Sequence, residues 1–287
     1  MGNRCLGHRA RYGQWPDIPT DVSTGIQSSI DSHQAITRTL RAAGCVYAED
    51  EAALLLQAFT GDRLLEMVSR RVEGTPLEQI LGWAEFRGLR IVVEPGVFVP
   101  RRRTELLVEE ALALRPTTVV DMCCGSGAVG AALEHELGHL DLHATDIDPV
   151  AVRCARRNIG AGHVYESDLY SALPQHLRGY VDVIVANAPY VPTDAIASMP
   201  AEARDHEPRV ALDGGLDGLD WHRRIADDAR QWLTDRGHLL IETSVGKAKV
   251  TVQIMRGAGF DARIAHSDEL DGTVVVGEVR TARTGRT

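Results

Sequence analysis

The chain has 287 residues, of which 44% are hydrophobic, and it carries a formal net charge of −9. A chain of this length and composition can bury one large core, or one large and one small core. Because its charge balance is acidic, it has no general electrostatic attraction for a nucleic-acid backbone, and the tightest basic patch is Arg101-Arg102-Arg103.

Cysteine usage and hydropathy exclude several further classes. The five cysteines are odd in number and lack C-x-x-C spacing, which argues against a disulfide framework or a zinc site and favours a reducing compartment. No apolar run approaches the roughly 18 residues that span a bilayer, and the N-terminus has no signal-like apolar core. We expect a soluble cytoplasmic protein without a metal ion.

The first hundred residues divide into three predicted segments. Residues 1–25 are rich in Arg, Gly, Pro and Asp without periodicity, which predicts a disordered leader. The stretches DEAALLLQAF and DRLLEMVSRRV carry apolar residues at helical spacing, and they predict a small helical domain over 26–82. Residues 83–100 contain two β-type runs around Arg87-Gly88, which predicts a β-hairpin linker.

The remainder, residues 101–280, predicts one α/β domain, followed by a disordered tail at 281–287. After a helix that starts near Thr104, seven strands read TTVVD, LDLHATD, GHVYE, VDVIVAN, GHLLIET, DARIAHS and TVVVGEV. Alternation of these strands with helices predicts a mostly parallel sheet covered on both faces. The last two strands are joined only by DELDG, which is too short for a crossover helix, so they should pair antiparallel.

Ligands of open α/β sheets bind at the carboxyl ends of the strands. The first strand leads into DMCCGSGAVG, where Asp121 is followed by Gly125 and Gly127, and glycines let the backbone approach a ligand closely. The second strand ends at Asp146, 21 residues past Gly125, where a carboxylate can bind both hydroxyls of a ribose. Asp148 precedes Pro149 and is the better helix cap, which leaves Asp146 for a ligand.

The third and fourth strands end in further polar groups. Asp168 either accepts from an adenine amino group or caps the next turn, and the sequence leaves both alternatives open. The fourth strand ends in Asn187-Ala188-Pro189-Tyr190. An Asn side-chain oxygen and the next backbone carbonyl can accept both protons of a planar NH2 group, Pro189 stiffens that turn, and the Tyr190 ring offers a flat face. This turn favours an S-adenosylmethionine (AdoMet) methyltransferase over a nicotinamide dehydrogenase.

Several segments together resemble the HemK/PrmC family of protein-(glutamine-N5) methyltransferases. They are GTPLEQILGWAEFRGL, VFVPRRRTELLVEEAL, DMCCGSGAVG, ATDIDPVAV, SDLYSAL, NAPYVP and HEPRVALDGGLDGLDWHRRI, and the resemblance covers about residues 30 to 280. It implies a class I AdoMet-dependent methyltransferase fold, in which the seven-stranded, mostly parallel sheet has an antiparallel last strand. It also implies a preceding all-α domain that helps to hold a protein substrate. The best-known substrates of the family are peptide chain release factors, modified at the Gln of a Gly-Gly-Gln loop.

The resemblance also implies roles for particular residues. Asn187 would be the catalytic amide, with the Ala188 carbonyl as the second acceptor and with Pro189 and Tyr190 completing the turn. The implied AdoMet-binding residues are Pro100, Arg101, Glu105, Asp121, Cys123, Gly125, Gly127, Asp146, Ile147, Asp168, Leu169 and Asn187. Arg101 and Glu105 are expected close to the cofactor. The alternative for this segment, which can hold at the same time, is a helix start with Thr104 as its N-cap.

This sequence departs from the family pattern at three places. Ala188 stands where the family usually has Pro, Arg102 and Arg103 stand where it has a second Pro and an acidic residue, and Cys123-Cys124 replaces Gly-Thr. The segment EPRVALDGGLDG should form a structured loop over the site, held against the Asn187 turn by Glu207 and Arg209.

Three alternatives remain open from sequence. An N6-adenine methyltransferase would use a similar turn, an inactive relative would only bind AdoMet, and a nicotinamide enzyme would share the glycine-rich loop. The acidic balance argues against nucleic acid as a partner, and a monomer is expected.

Overall fold

The computed structural model describes residues 25–280 of the chain. The predicted leader and tail, at 1–25 and 281–287, therefore lie outside the described residues, apart from Gly25. The chain divides into two compact units, residues 1–60 and 61–287. The predicted domain boundaries, with a helical domain over 26–82, stay a prediction. No helix in the described range combines the length and the hydropathy that crossing a membrane requires.

In the first unit, two helices pack on each other: α1 (Gly25–Ala42) and α2 (Ala48–Ala58). On α2 the buried residues Ala48, Ala52 and Leu55 recur at spacings of four and three, so that they lie on one face of the helix.

The second unit begins with two helices and a hairpin. These elements are α3 (Gly61–Val72), α4 (Leu77–Leu81), β1 (Trp83–Phe86) and β2 (Leu89–Val92), and the two strands pair antiparallel. The two-residue turn, Arg87-Gly88, has φ angles of 50° and 73°. Positive φ at both central residues suits a tight turn between twisted strands, and glycine adopts such an angle without strain.

A seven-stranded sheet forms the rest of this unit. Its elements, in chain order, are α5 (Glu105–Ala113), β3 (Thr118–Met122), α6 (Ala128–Leu137), β4 (Asp141–Asp146), α7 (Pro149–Asn158), β5 (His163–Glu166), β6 (Val181–Ala186), α8 (Ala201–His206), α9 (Asp220–Ala229), β7 (Leu233–Glu242), α10 (Val245–Gly257), β8 (Phe260–Ser267) and β9 (Gly272–Val279). The spatial order is β5-β4-β3-β6-β7-β9-β8.

The pairing of the strands confirms the predicted topology. The five strands from β5 to β7 are parallel neighbours, whereas β9 runs antiparallel to both β7 and β8. The last two strands in the sequence therefore do pair antiparallel, as the short connection between them requires. The last strand, β9, is inserted between β7 and β8 rather than at the edge of the sheet.

Both faces of the sheet are covered by helices. Successive residues of β3 belong to different cores: Val119 packs in a cluster with α5 and α6, and Val120 packs in a cluster with α9 and α10. Side chains alternate across a strand, so a central strand that is buried on both faces reads as a continuous apolar run. This explains the apolar runs Val119-Val120 in β3 and Val183-Ile184-Val185 in β6.

The strand order of the sheet reverses at β3: the strands that follow β3 in the chain, β4 and β5, are added on one side of it, and β6 and β7 are added on the other. The neighbours of β3 are β4 on one side and β6 on the other, so the connections that leave the carboxyl ends of β3 and β6 diverge. Such a switch point opens a crevice at the carboxyl ends of the strands.

Candidate active site

A cavity of about 630 Å³ lies at the carboxyl ends of β3, β4, β5 and β6. Each of these strands contributes the residues that follow it. The lining includes Cys123 to Ser126 after β3, Asp146 to Asp148 after β4, Ser167 to Leu169 after β5 and Asn187 to Val191 after β6. The four strand ends that sequence patterns single out therefore meet in one cavity.

The glycines of the first loop serve different purposes. Gly125 has a φ of 55° and open space where a side chain would stand, so its backbone is accessible from the cavity. Gly127 has a φ of 78°, and a Cβ there would lie 3.1 Å from the backbone of Ala155 in α7. It therefore lets α6 approach α7 closely and lies outside the lining. Cys123, with a φ of 58°, holds the left-handed conformation without being glycine.

Asp146 is held by backbone groups on both of its carboxylate oxygens. Gly125 N donates to Oδ2 at 2.8 Å, and Asp148 N donates to Oδ1 at 2.9 Å. Burial raises the pKa of Asp146, and these hydrogen bonds oppose that shift. An ionised carboxylate offers about four acceptor positions, so these backbone groups still leave room for hydroxyls of a ligand. Asp148 caps α7 by accepting from Val150 N at 2.8 Å, as predicted.

Asp121 is the second buried carboxyl group of the cavity. Its Oδ2 accepts from Gly130 N at 2.9 Å. Burial raises the pKa of Asp121 to about 7; the Gly130 hydrogen bond opposes this shift and the charge of Asp146 adds to it. A cation bound in the cavity would favour the ionised form of this group.

Asp168 makes an ion pair. Both of its carboxylate oxygens accept from Nη2 of Arg224, at 2.8 and 2.9 Å. The turn after β5 is stabilised instead by Ser167, whose Oγ donates to the Leu169 carbonyl at 2.7 Å and accepts from Ala172 N at 2.9 Å. The structure therefore excludes the alternative in which the Asp168 side chain caps the next turn. The adenine contact stays a prediction.

The amide of Asn187 contacts the segment that enters the domain. Its Nδ2 donates to Oγ1 of Thr104 at 3.3 Å. Thr104 precedes α5, but its side chain makes no capping hydrogen bond. The alternative in which the Thr104 side chain caps this helix is therefore wrong, because its hydroxyl is engaged by a residue 83 positions further along the chain.

The loop of residues 207–218 packs directly against the Asn187 turn. Val191 N donates to the Leu212 carbonyl at 3.1 Å, and Gly214 N donates to the Val191 carbonyl at 2.8 Å. A Cβ at Gly214 would lie 2.8 Å from the Pro189 carbonyl oxygen, so only glycine allows this approach. The loop is structured, and its first six residues, apart from Arg209, line the cavity.

The side chains that hold this loop differ in part from the prediction. Glu207 forms an ion pair with Arg101, and both residues line the cavity. Arg209 pairs with Asp213 inside the loop at 3.2 Å and does not reach the turn. Asp213 makes the connection instead, because its Oδ1 accepts from the Thr193 hydroxyl at 2.6 Å.

A cluster beside the Asn187 turn was not predicted from sequence. Arg103 lines the cavity, and its Nε donates to Oε1 of the buried Glu242 at 3.3 Å. Arg103 also hydrogen-bonds Tyr190, although burial is the larger effect and raises the pKa of that phenol. Glu242 is the last residue of β7, as Asp146 is the last residue of β4. An acidic residue at the end of a buried strand is therefore the sequence feature that could have identified Glu242 as a site residue.

Most of the predicted site residues line this cavity. They are Pro100, Arg101, Asp121, Cys123, Gly125, Asp146, Ile147, Asp168, Leu169, Asn187, Ala188, Pro189 and Tyr190. Gly127 and Glu105 are the two that do not. Leu169, like Cys123, has a positive φ, of 51°. Both residues place strained backbone at the cavity, where such strain is often functional.

The residues present fit AdoMet. Gly125 leaves open backbone at the first strand end, Asp146 retains acceptor positions that suit two vicinal hydroxyls, and Asp121 adds a carboxyl group that a cation would ionise. Within residues 25–280, no cluster of His, Cys, Asp or Glu has the arrangement of a metal site.

Comparisons with known proteins agree with this site. A sequence model of the family described as Methyltransferase small domain matches residues 88–205. The release factor glutamine methyltransferase of Geobacter sulfurreducens is 39% identical over 200 residues, which cover 68% of this chain and 69% of that protein. The 4-amino-L-phenylalanine/4-methylamino-L-phenylalanine methyltransferase of Streptomyces pristinaespiralis is 35% identical over 237 residues, or 79% of this chain and 80% of that protein.

Among solved structures, a methyltransferase from Pyrococcus furiosus superposes with a TM-score of 0.52. The superposition covers 74% of this chain and 98% of that one, at 14% sequence identity. Identity this low supports the fold alone, and the fold is that of a class I AdoMet-dependent methyltransferase.

Proposed function

The chain belongs to the family of release factor glutamine methyltransferases, and we propose that it transfers a methyl group from AdoMet to the side-chain amide nitrogen (N5) of a glutamine in a peptide chain release factor. The observation that carries this proposal is the meeting of Asn187 with Asp146 and Gly125 in one cavity. Asn187, which would orient the planar NH2 group of the substrate, thereby lies in the same cavity as Asp146 and Gly125, which would bind AdoMet. The sequence-based alternatives, an adenine methyltransferase or an inactive relative, are not favoured by the relatives found.

Each residue has a distinct task in this proposal. When bound, AdoMet supplies an electrophilic methyl group. Asp146 would hold the two ribose hydroxyls, and the backbone at Gly125 would lie along the donor. Asn187 Oδ1 and the Ala188 carbonyl would accept the two N–H protons of the substrate amide, which directs the nitrogen toward the methyl carbon. Transfer would form the N–C bond and break the S–C bond, leaving S-adenosylhomocysteine, and the nitrogen would release one proton to solvent.

Positioning is the main contribution that such a site can make. The lone pair of an amide nitrogen is delocalised into its carbonyl, so the nitrogen is a weak nucleophile. Fixing two reactants in line replaces a bimolecular encounter, which can contribute about 7–11 kcal/mol to lowering the barrier. The Tyr190 ring, which lines the cavity, would provide a flat surface for the planar amide.

The test is direct methylation. The protein would be incubated with isotopically labelled AdoMet and a purified release factor, and peptide mass spectrometry would locate the label. We expect a single methyl group on the glutamine of the Gly-Gly-Gln loop. A release factor in which that glutamine is replaced by asparagine serves as the control. Absence of label from the parent release factor would contradict the proposal.

A second candidate function deserves the same assay. The relative from Streptomyces pristinaespiralis, which by its name methylates the amino acids 4-amino- and 4-methylamino-L-phenylalanine, matches a larger share of this chain than the Geobacter protein does. An aryl amine is again a planar NH2 group with a delocalised lone pair, so the same two acceptors could orient it. Methylation of 4-amino-L-phenylalanine, without methylation of the release factor, would favour this candidate.

We further propose that the protein acts as a monomer in the cytoplasm and does not bind nucleic acid. The net charge of −9 supports the last point. Light scattering after gel filtration, with and without the release factor, would measure the oligomeric state.

A further inference from the structure

Glu242 is a buried carboxylate next to the strand that carries Asn187. It ends β7, which pairs with β6, and its side chain is only 1% exposed. Oε1 accepts from Arg103 Nε, whereas Oε2 has no partner at standard hydrogen-bond geometry among the described residues. The Thr104 hydroxyl interacts with this carboxylate and stabilises its charged form, although burial is the larger effect and raises the pKa of Glu242.

Thr104 therefore stands between Glu242 and Asn187. A threonine hydroxyl has one proton to donate and can also accept, whereas an ionised carboxylate can only accept. Toward an ionised Glu242 the hydroxyl can only donate its proton, and the Thr104 oxygen is then left as an acceptor toward Asn187. Asn187 can satisfy that acceptor through its Nδ2 group and not through Oδ1, and Nδ2 lies 3.3 Å from the Thr104 oxygen.

The direction of the hydrogen bond between Thr104 and Asn187 decides which end of the Asn187 amide faces the substrate. The two ends of an asparagine amide have nearly the same shape, so only the hydrogen bonds around them distinguish one orientation from the other. With Nδ2 engaged by Thr104, Oδ1 is the end left for the substrate. In the reversed orientation, Nδ2 would present protons to an NH2 group and could not accept from it.

We propose that Glu242 is a positioning residue which, through the Thr104 hydroxyl, fixes the side-chain amide of Asn187 with Oδ1 available to the substrate nitrogen. This inference rests on the proposed function and adds to it two residues outside the Asn187 turn. Neither needs to touch the substrate, because each acts on the next member of the chain of hydrogen bonds.

Arg103 completes this arrangement in a way particular to this chain. It pairs with Glu242 and stands where the resembling family usually has an acidic residue. Removing water from a lone carboxylate is costly, and a paired guanidinium compensates for part of that cost. The cation thereby favours the acceptor-only form of Glu242, on which the direction of the hydrogen bonds depends.

The first experiment compares Thr104→Val with Thr104→Ser. Valine has nearly the shape of threonine but no hydroxyl, whereas serine keeps the hydroxyl. We expect Thr104→Val to lower the single-turnover rate of methyl transfer by about 10- to 100-fold, since a small misplacement of a reacting group can cost about 100-fold. AdoMet affinity should stay within threefold. Thr104→Ser should recover most of the rate, and equal rates for the valine variant and the parent would overturn the proposal.

A double-mutant comparison separates positioning from general damage. In the background of Asn187→Ala, Thr104→Val should cause less than a twofold further loss, because the group that it positions is already gone. If the two losses multiply instead, Thr104 acts independently of Asn187 and the proposal is wrong. Glu242→Gln and Glu242→Leu should show the same dependence on Asn187. Two substitutions are used because the leucine variant leaves Arg103 without its partner.

A readout without substrate distinguishes this inference from the proposed function. In ¹⁵N-labelled protein, the side-chain NH2 resonances of Asn187 can be assigned by their loss in Asn187→Ala. They should shift in Thr104→Val and Glu242→Leu and remain near the parent position in Thr104→Ser. Unchanged resonances in both disruptive variants would overturn the inference. A parent protein that fails to methylate any release factor would contradict the proposed function alone.

Discussion

Arg101 and Glu207, 106 residues apart in the chain, form an ion pair in which the Glu207 side chain is only 1% exposed. The pair joins the segment that enters the domain to the start of the 207–218 loop. Breaking a buried ion pair by removing one charge is costly, often about 3–5 kcal/mol, because the other charge loses its compensation. This contact should therefore hold the loop over the cavity.

Glu207→Gln should loosen that loop. We expect faster hydrogen exchange of the amides in residues 207–214 and a higher KM for the release factor, with little change in AdoMet affinity. Arg209→Gln is the matched control, because Arg209 is 69% exposed and its pair with Asp213 contributes little. Equal exchange rates in the two variants would show that the buried pair does not restrain the loop.

Asp146→Ala should weaken AdoMet binding. Hydrogen bonds to a charged group contribute about 1.5–3 kcal/mol, so the loss should be roughly 10- to 100-fold in Kd. Calorimetric titration measures it. Asp141→Ala provides a control, because Asp141 begins the same strand at the end away from the cavity and should leave the affinity unchanged.

Asp121→Asn should stabilise the protein without bound AdoMet, more so at high pH. The pKa of Asp121 is raised to about 7 in the folded protein from an ordinary value of 3.8. Between these two pH values the folded state holds a proton on Asp121 that the unfolded state has released. The stability of the folded protein therefore falls as pH rises through this range, and the loss is complete once pH has passed about 7. The gain from asparagine has an upper limit of about 4 kcal/mol, at about 1.4 kcal/mol per pKa unit. Thermal unfolding at pH 5 and pH 8.5 measures it, and an equal change at both pH values would contradict this assignment.

Asn187→Ala should separate transfer from binding. We expect AdoMet affinity within a few-fold of the parent and a loss of methyl transfer of about 10²- to 10³-fold, by analogy with removal of a group that stabilises a transition state. Single-turnover transfer to the release factor, alongside AdoMet titration, measures both. Transfer at the parent rate would mean that the turn only ends a strand.

Arg103→Met should shift the acid limb of the pH–rate profile. Burial raises the pKa of Glu242, and Thr104 and Arg103 oppose that shift. Tyr190 also faces this carboxylate, but its own raised pKa keeps it neutral. If transfer requires ionised Glu242, the rate falls as pH drops through its pKa, and this fall should occur at higher pH without Arg103. Arg102→Met is the control, since Arg102 is 68% exposed; identical acid limbs in the two variants would contradict the role of Arg103.

Much of the architecture was predictable because it depends on short stretches of sequence. Alternation of strands and helices predicts a parallel sheet, and the short DELDG connection predicts the antiparallel pair. The ends of parallel strands meet at one edge, so the sequence alone assigns Asp146 and Asn187 to one site. The first two inferences use residues close to one another in sequence, and the third needs only the general geometry of a parallel sheet.

The side-chain partners were not predictable in this way. Thr104 has a sequence context typical of a helix cap, yet its hydroxyl contacts Asn187, 83 residues away. Arg224 engages Asp168 across 56 residues, and Arg103 engages Glu242 across 139. Side-chain propensities reflect hydrogen bonds to backbone groups nearby in sequence. A partner that is distant in sequence can occupy the same side chain in the folded protein, and the local hydrogen bond then does not form.

The position of β9 between β7 and β8 has a consequence for biosynthesis. Among the described strands β8 pairs only with β9, so it cannot join the sheet until β9 has been made. Until then the nascent chain presents β7 as an open edge, a state prone to pairing with other chains. Glu242 lies opposite Val274 of β9, and Thr243 N donates to the Thr273 carbonyl at 2.9 Å. Pairing with β9 therefore closes that edge and fixes the backbone on either side of Glu242, so this part of the site cannot be complete before β9 has been made.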